Sequence, residues 1–401
     1  MSAAASAGAG TPARFVLGID DLSIATTSRV LDLGDLAAHT GVDPDKFRIG
    51  LGQDQMGVPA ADEDIVTMAA AAAAPIIERH GADRIRSVLF ATESGVDQSK
   101  SAAAFVHELL ELPASCRVVE FKQACYGGTA ALQAALGMVA REPDSAVLVI
   151  ASDIARYEID SAAEPTQGAA AVAMLVTSDP GLVEVEAPTG VWTEAINDFW
   201  RPNDCNTALV DGRLSVEAYM NAFVGAWEDY RSRGGADAAD IAWWCHHQPF
   251  TRMAHKAHRH LASHLGIEAD PAQVESSTRY NRRLGNSYTA SLFVALGALL
   301  DGEEDLAGKR IGMYSYGSGS TGEVFSVVVQ PGYRDLTRAD ATRAALEART
   351  PIAVAEYREL HVTAARGSGD DVALPLQTPG PFRFAGITGS ARRYEVRPGT
   401  A

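Results

Sequence analysis

The sequence predicts an α/β fold built from two halves that repeat one order of elements. Short apolar, β-branched runs such as residues 87–91 (SVLFA) and 146–152 (AVLVIAS) read as buried strands, and they alternate with longer stretches of helical periodicity. Each half runs strand, reactive side chain, helix, strand, glycine turn, so the duplication lies in element order rather than residue identity. With 401 residues and 47% hydrophobic content, the chain can bury one large core or two fused ones.

Composition narrows the function. Acidic residues outnumber basic ones 51 to 34, for a formal charge of −17, with no Lys or Arg run to offset it. Nucleic-acid and anionic-membrane binding are therefore poor expectations. Four cysteines (Cys116, Cys125, Cys205, Cys245) without a CxxC pair point to a reducing compartment. Residues 1–13 read as a flexible tail lacking the apolar segment of a signal peptide, and no apolar run is long enough to cross a bilayer. A cytoplasmic protein is expected.

In the first half, residues 14–190, a strand over 15–25 leads through helix and turn signals to the loop 50–53 (GLGQ), which lacks the dinucleotide-binding spacing. A helix over 62–81 follows, with Asp62 as its cap and Ile65, Met68, Ala72 and Ile76 on one face. The strand 87–91 ends at Glu93, on the edge where α/β sheets bind ligands. After a helix over 99–112, residues 116–122 read as a buried strand running into a buried helix with periodicity from Thr129, and Cys125 stands at the join. A thiol there faces free N–H groups and a positive helix end, which favour thiolate, while Gly127 and Gly128 would let backbone donors approach a carbonyl over the sulfur. The residues alone also allow a small buried cysteine beside a helix start. The strand 146–152 runs directly into Asp153, Arg156 and Tyr157, and strands over 169–177 and 181–187 complete the half.

The second half, residues 191–401, opens with an aromatic, turn-rich loop to residue 211 and a helix over 216–233. The strand 241–250 carries His246 and His247, and a basic helix over 251–265 follows. Residues 280–288 open an apolar helix, and the strand 310–316 runs into the glycine loop 317–322 and a further strand, 323–329. Beyond residue 333 come a polar helical stretch, a mobile loop at 366–371 and a tail that could return as a strand over 381–396.

Glu93, Cys125, His247 and Asn286 all stand at strand ends or loop mouths. A cysteine nucleophile with a histidine and an amide can accept an acyl group, and an added carboxylate can enolise a thioester that is not decarboxylated. The scattered His255, His258, His260 and His264 suit a solvated helix better than a metal site. Trp243, Trp244 and the other three cysteines read as packing. Asp153 and Asn286 could equally serve as turn or helix caps.

The motifs ATESGVD, QACYGGTAALQ, SDIARY, EPTQGAAAVAM, NDFWRPN, HHQPFTRM, GNSYTAS and SYGSGSTGE, in that order over roughly residues 14–335, resemble 3-hydroxy-3-methylglutaryl-CoA synthases, most like the bacterial branch. That resemblance implies a thiolase-like five-layer αβαβα sandwich, a homodimer, CoA thioesters as substrates, and no metal or redox cofactor. It implies Cys125 as acetylated nucleophile, Glu93 as general base and His247 as the acetoacetyl-binding histidine. Asn286, Ser318, Tyr157 and Thr166 would hold the acyl chain, Arg252 and Lys256 would meet CoA phosphates, and Asp97, Asp153 and Asp198 would shape the site. The reaction implied is condensation of acetyl-CoA with acetoacetyl-CoA for isoprenoid supply through mevalonate. Alternatives are the same chemistry on an acyl carrier protein in polyketide β-branching, a decarboxylating ketoacyl synthase, or an inactive partner subunit. His246 beside His247 is unusual, and the tail after Tyr333 matches less well.

Overall fold

The computed structural model describes residues 16–205, 207–364 and 371–397; the N-terminal tail and nearly all of the loop at 366–371 lie outside them. In the first half, β1 (Leu17–Thr26), α1 (Ile65–His80), β2 (Ile85–Ala91), α2 (Ala103–Leu109), β3 (Arg117–Phe121), α3 (Gly127–Arg141), β4 (Ala146–Ala155) and β5 (Gly168–Ser178) follow in turn. After β6 (Val183–Val185), the second half adds α4 (Gly212–Ser232), β7 (Trp243–His246), α5 (Arg252–Leu265), α6 (Ser291–Leu300), β8 (Arg310–Gly317) and β9 (Thr321–Val329).

These strands lie in the order β7-β8-β9-β6-β1-β5-β4-β2-β3. Outward from β1, the neighbours β5 and β4 are joined antiparallel and β2 and β3 parallel; outward from β6, β9 and β8 are joined antiparallel and β7 parallel. The two series share one pattern and meet where β1 pairs antiparallel with β6. This is the duplication in element order, expressed as strand order.

Three cores fill the space between five layers, the central one spanning both faces of the middle helices. Alternation along β2 sends Val88 and Phe90 to an outer core with Ile65, Met68 and Ile76 of α1, and Leu89 and Ala91 to a central core. In the central core Leu132, Leu136 and Val139 of α3 meet α6, all ten of whose residues are buried, as its wholly apolar surface requires. A third core packs Tyr219, Phe223 and Trp227 of α4 and Met253 and Leu261 of α5 against Trp244, Tyr314 and Val324. The result is the expected αβαβα sandwich, with α3 and α6 in the middle.

Several local expectations change. Asp64, not Asp62, caps α1: its carboxylate accepts from Val66 and Thr67 N–H, and Thr67 Oγ1 accepts in return from Asp64 N–H. Asp62 is instead buried and accepts from the backbone of Gln377 and Thr378. Rather than a buried strand, β3 is an edge strand with Val119 39% exposed, because it pairs with β2 alone. Residues 192–211 hold a small hairpin, Phe199–Trp200 against Leu209–Val210, instead of a plain loop. His255 and His258 are buried, not solvated. The tail does return, as β10 (Phe382–Thr388) and β11 (Ala391–Val396), with Tyr394 packed on Phe105 at 5.0 Å.

Candidate active site

The site is assembled at the C-terminal ends of β2, β4 and β8, where turns converge on the start of α3. Between β3 and α3, Ala124 adopts a left-handed backbone (φ 43°), a sharp reversal that sets Cys125 just before the helix. This turn sits so close to β8 that a Cβ on Gly317 would lie 2.5 Å from Gln123 O and 2.6 Å from Tyr126 N. Glycine is obligatory there for the two halves to meet. A second link crosses the halves at Tyr126, whose hydroxyl donates to the buried Glu323 at 2.6 Å.

Cys125 Sγ donates to Glu93 Oε1 at 3.1 Å. Glu93 follows β2 on a turn that Asp153 holds: this buried carboxylate, still inside β4, accepts from Thr92 Oγ1 (2.7 Å) and from Glu93 and Ser94 N–H (each 3.0 Å). Its other oxygen accepts from Thr289 N–H at 3.3 Å, so instead of capping a turn after its own strand Asp153 holds the turn after β2 and ties it to the segment before α6. Burial first, then the charge of Asp153, pushes the Glu93 carboxyl up to about 8.

The expected thiolate is not what this environment favours. Burial, then the Glu93 charge and hydrogen bond, then Asp153 and Asp198, hold the Cys125 thiol well above its ordinary range. A helix N-terminus is worth up to ~2 kcal/mol in a partly buried site, and here it acts against burial and three nearby carboxylates, which together hold the thiol protonated. Nor do Gly127 and Gly128 offer free donors. Their N–H groups go to Ala124 O and Thr289 Oγ1, and a Cβ on Gly128 would lie 2.9 Å from that hydroxyl. They serve close packing of α3 against Thr289.

Around the sulfur stand the rings of Tyr157, Phe199 and Tyr288, edge-to-face at 5.8–6.3 Å. Asn286 does two things at once: Oδ1 accepts from Tyr288 N–H at 2.9 Å, an Asx turn rather than a helix cap, and Nδ2 donates to Tyr157 Oη at 3.4 Å. Thr166 is tied down, its hydroxyl on Ala163 O and its carbonyl on Asn286 N–H. Asp198, buried, accepts from Tyr316 Oη and Gly319 N–H, both at 2.8 Å, and so fixes the hairpin carrying Ser318, whose carbonyl faces Gln123 Nε2 at 3.4 Å.

His247 lies just past β7, its N–H on Tyr314 O and its own carbonyl receiving Tyr219 Oη at 2.8 Å. Burial lowers its pKa to about 3, leaving a neutral ring whose Nδ1 has no partner among the described residues. The neighbouring His246 shares a strand face with Trp244, on which it stacks at 5.8 Å, and meets Phe223 in the outer core. Alternation along the strand thus separates the pair.

Comparison with known proteins places this arrangement. The family model for the hydroxymethylglutaryl-coenzyme A synthase N terminal region matches residues 14–181, and the C terminal one residues 263–362. The hydroxymethylglutaryl-CoA synthase of Enterococcus faecalis is 39% identical over 385 residues, covering 94% of this chain and 99% of that protein. The chain belongs to the hydroxymethylglutaryl-CoA synthase family. A crystal structure of an HMG-CoA synthase complexed with CoA matches with a TM-score of 0.90 at 36% identity, over 95% of this chain and 100% of that one. The HMG synthase of the curacin biosynthetic pathway, in complex with acetyl donor-ACP, matches at 0.89 and 32% identity, over 95% and 100%.

Three residues named from the resemblance to hydroxymethylglutaryl-CoA synthases stand apart from Cys125 and its ring of groups. Asp97 is exposed, and its carboxylate accepts from Ser99 and Lys100 N–H within its own turn, which lowers its pKa. Arg252 lines a cavity of about 250 Å3 with Arg48, Arg282 and His255, against Glu275. Lys256 is exposed one turn further along α5, 4.9 Å above the Phe250 ring. Sequence reasoning missed Phe199, Tyr288, Thr289 and Arg201, the last donating to the Glu93 carbonyl. All four sit inside motifs that point to the synthase family, but loop aromatics and a loop arginine carry no periodic signal.

Among the described residues, no group of three or more His, Cys, Asp or Glu side chains could hold a metal, and no helix is long and apolar enough to cross a membrane.

Proposed function

We propose that this chain condenses acetyl-CoA with acetoacetyl-CoA and water to give 3-hydroxy-3-methylglutaryl-CoA and CoA, supplying mevalonate-derived isoprenoids from the cytoplasm. The observation that carries the residue assignment is the Cys125–Glu93 contact inside an aromatic pocket. In this reading the Cys125 sulfur attacks acetyl-CoA, the thiol proton leaves with the departing CoA, and acetyl-Cys125 forms. Glu93 removes a methyl proton from that thioester, and the resulting enolate carbon attacks the C3 ketone of acetoacetyl-CoA. His247, its ring neutral, hydrogen-bonds to the developing alkoxide, which takes back the proton held on Glu93, and water then cleaves the Cys125 thioester. Every step is redox-neutral and uses protein acids and bases, so the CoA thioesters suffice and no cofactor is invoked.

Asn286, Tyr157, Thr166 and Ser318 would line the acyl chain, and Asp153 and Asp198 would hold the turns that carry Glu93 and Ser318. Arg252 suits CoA phosphates: it lines the cavity with Arg48 and Arg282, which are paired with Asp32 and Asp54, and brings to an acidic protein a guanidinium with no carboxylate partner among the described residues. Lys256 would add to it.

The test is to offer acetyl-CoA with either free acetoacetyl-CoA or the same group on an acyl carrier protein. A higher kcat/KM for the free thioester is expected, and a preference for the carrier would move the chain to the polyketide reading. A homodimer is also part of this proposal, because the exposed edge of β3 is an open template for a second copy. Light scattering should give a dimer that Val119→Lys converts to monomer; a monomeric unmodified protein rejects this.

A further inference from the structure

The C-terminal helix α7 (Val354–Ala364) reaches back to the candidate active site. The turn after β4 carries Tyr157, whose ring packs beside Cys125, yet neither backbone polar group of Tyr157 is held by secondary structure. Its N–H donates to Gln167 Oε1 at 2.7 Å, and its carbonyl lies 3.0 Å from His361 Nε2. The same imidazole nitrogen lies 3.2 Å from Gln167 Oε1. Two acceptors face Nε2, so Nε2 carries the proton and divides it between them.

From Gln167 the bonds run on in one direction. Gln167 Nε2 donates to Tyr357 Oη at 2.6 Å, and Tyr357 Oη donates to Glu164 Oε1 at 3.0 Å. Arg156 donates in turn to the His361 carbonyl. Each of these bonds pairs a donor with an acceptor, so the chain of bonds runs in one direction and favours one geometry.

We infer that His361 is a positioning residue for the reaction: through its Nε2–H it fixes the backbone of Tyr157, and with it the wall of the acyl pocket beside Cys125. The inference rests on the proposed function, since it takes that pocket to hold the acyl groups. It also gives α7, the end of the region matched by the C-terminal family model, a task.

The experiment compares the unmodified enzyme with His361→Ala, His361→Gln, Tyr157→Ala and the double variant Tyr157→Ala/His361→Ala. Losing one such hydrogen bond should lower kcat/KM for acetoacetyl-CoA by about tenfold, while Cys125 still becomes acetylated and Tm changes little. His361→Gln, which returns an N–H donor at the same reach, should recover most of the loss. In the Tyr157→Ala background, His361→Ala should cost nothing further, the mark of two residues acting as one. Unchanged kinetics in His361→Ala, no recovery by glutamine, or a full additional loss in the double variant each overturns the inference. Should His361→Ala fail to fold, Tyr357→Phe, which unlinks Gln167 from Glu164, replaces it in the same cycle with the same expectations. Failure of the unmodified enzyme to acetylate Cys125 or to condense would instead strike at the proposed function.

Discussion

Cys125→Ala will not be acetylated by acetyl-CoA: its intact mass stays constant where the unmodified protein gains one acetyl group. Condensation falls on the order of 10⁶-fold, the scale seen when a covalent nucleophile is removed. The substitution deletes a single sulfur beside Tyr157 and Tyr288, so the fold and Tm are retained. Acetylation that persists, or that maps to Cys116 or Cys245, would falsify the assignment. Both of those thiols are buried, and burial raises each one's pKa.

Glu93→Gln separates the two halves of the chemistry. Where Glu93 is charged, above about pH 8, its charge and hydrogen bond raise the thiol pKa of Cys125, so there the substitution eases thiolate formation. Acetylation therefore persists or quickens. Carbon–carbon bond formation should fall by ~10²–10⁴-fold, the range for a lost general base, and exchange of acetyl methyl hydrogens with solvent deuterium should stop.

In the unmodified enzyme the sign of the pH dependence follows from the raised carboxyl. Glu93 is protonated below about pH 8 and cannot accept a proton there, so the condensation rate should climb with pH and level off above about 8. Asp153 contributes to that elevation through its charge, so Asp153→Asn should move the rising limb to lower pH. A variant that loses acetylation but keeps exchange would make Glu93 the activator of the thiol, and a base would have to be sought elsewhere. A limb centred near the ordinary carboxylate range would show that Glu93 is not the base.

These expectations differ from those the sequence suggests at one point. A cysteine at a helix start reads as a thiolate because the helix dipole is local and visible in the chain. The groups that reverse this, Glu93, Asp153 and Asp198, come from 32, 28 and 73 residues away in sequence. Their combined charge at one buried sulfur is a tertiary quantity.

What the sequence by itself determined is what depends on neighbours along the chain. Apolar runs and helical periodicity marked the strands and helices of both halves, and the repeated element order anticipated the matching strand series that meet at β1 and β6. Reactive side chains past strand ends, a local feature, pointed to Glu93, Cys125 and His247, and the resemblance of the GNSYTAS motif added Asn286. The tertiary structure alone decided which of two adjacent histidines faces the outer core, since strand alternation has meaning only once the layers are placed. It likewise decided that Asp64 rather than Asp62 caps α1: Asp62 is claimed by backbone N–H groups more than 300 residues later in the chain. Phe199 and Tyr288 joined the surroundings of Cys125, and His361 the backbone of Tyr157, for the same reason. Segments far apart in sequence fold onto one sheet edge, and contacts between them follow from packing, which no local pattern encodes.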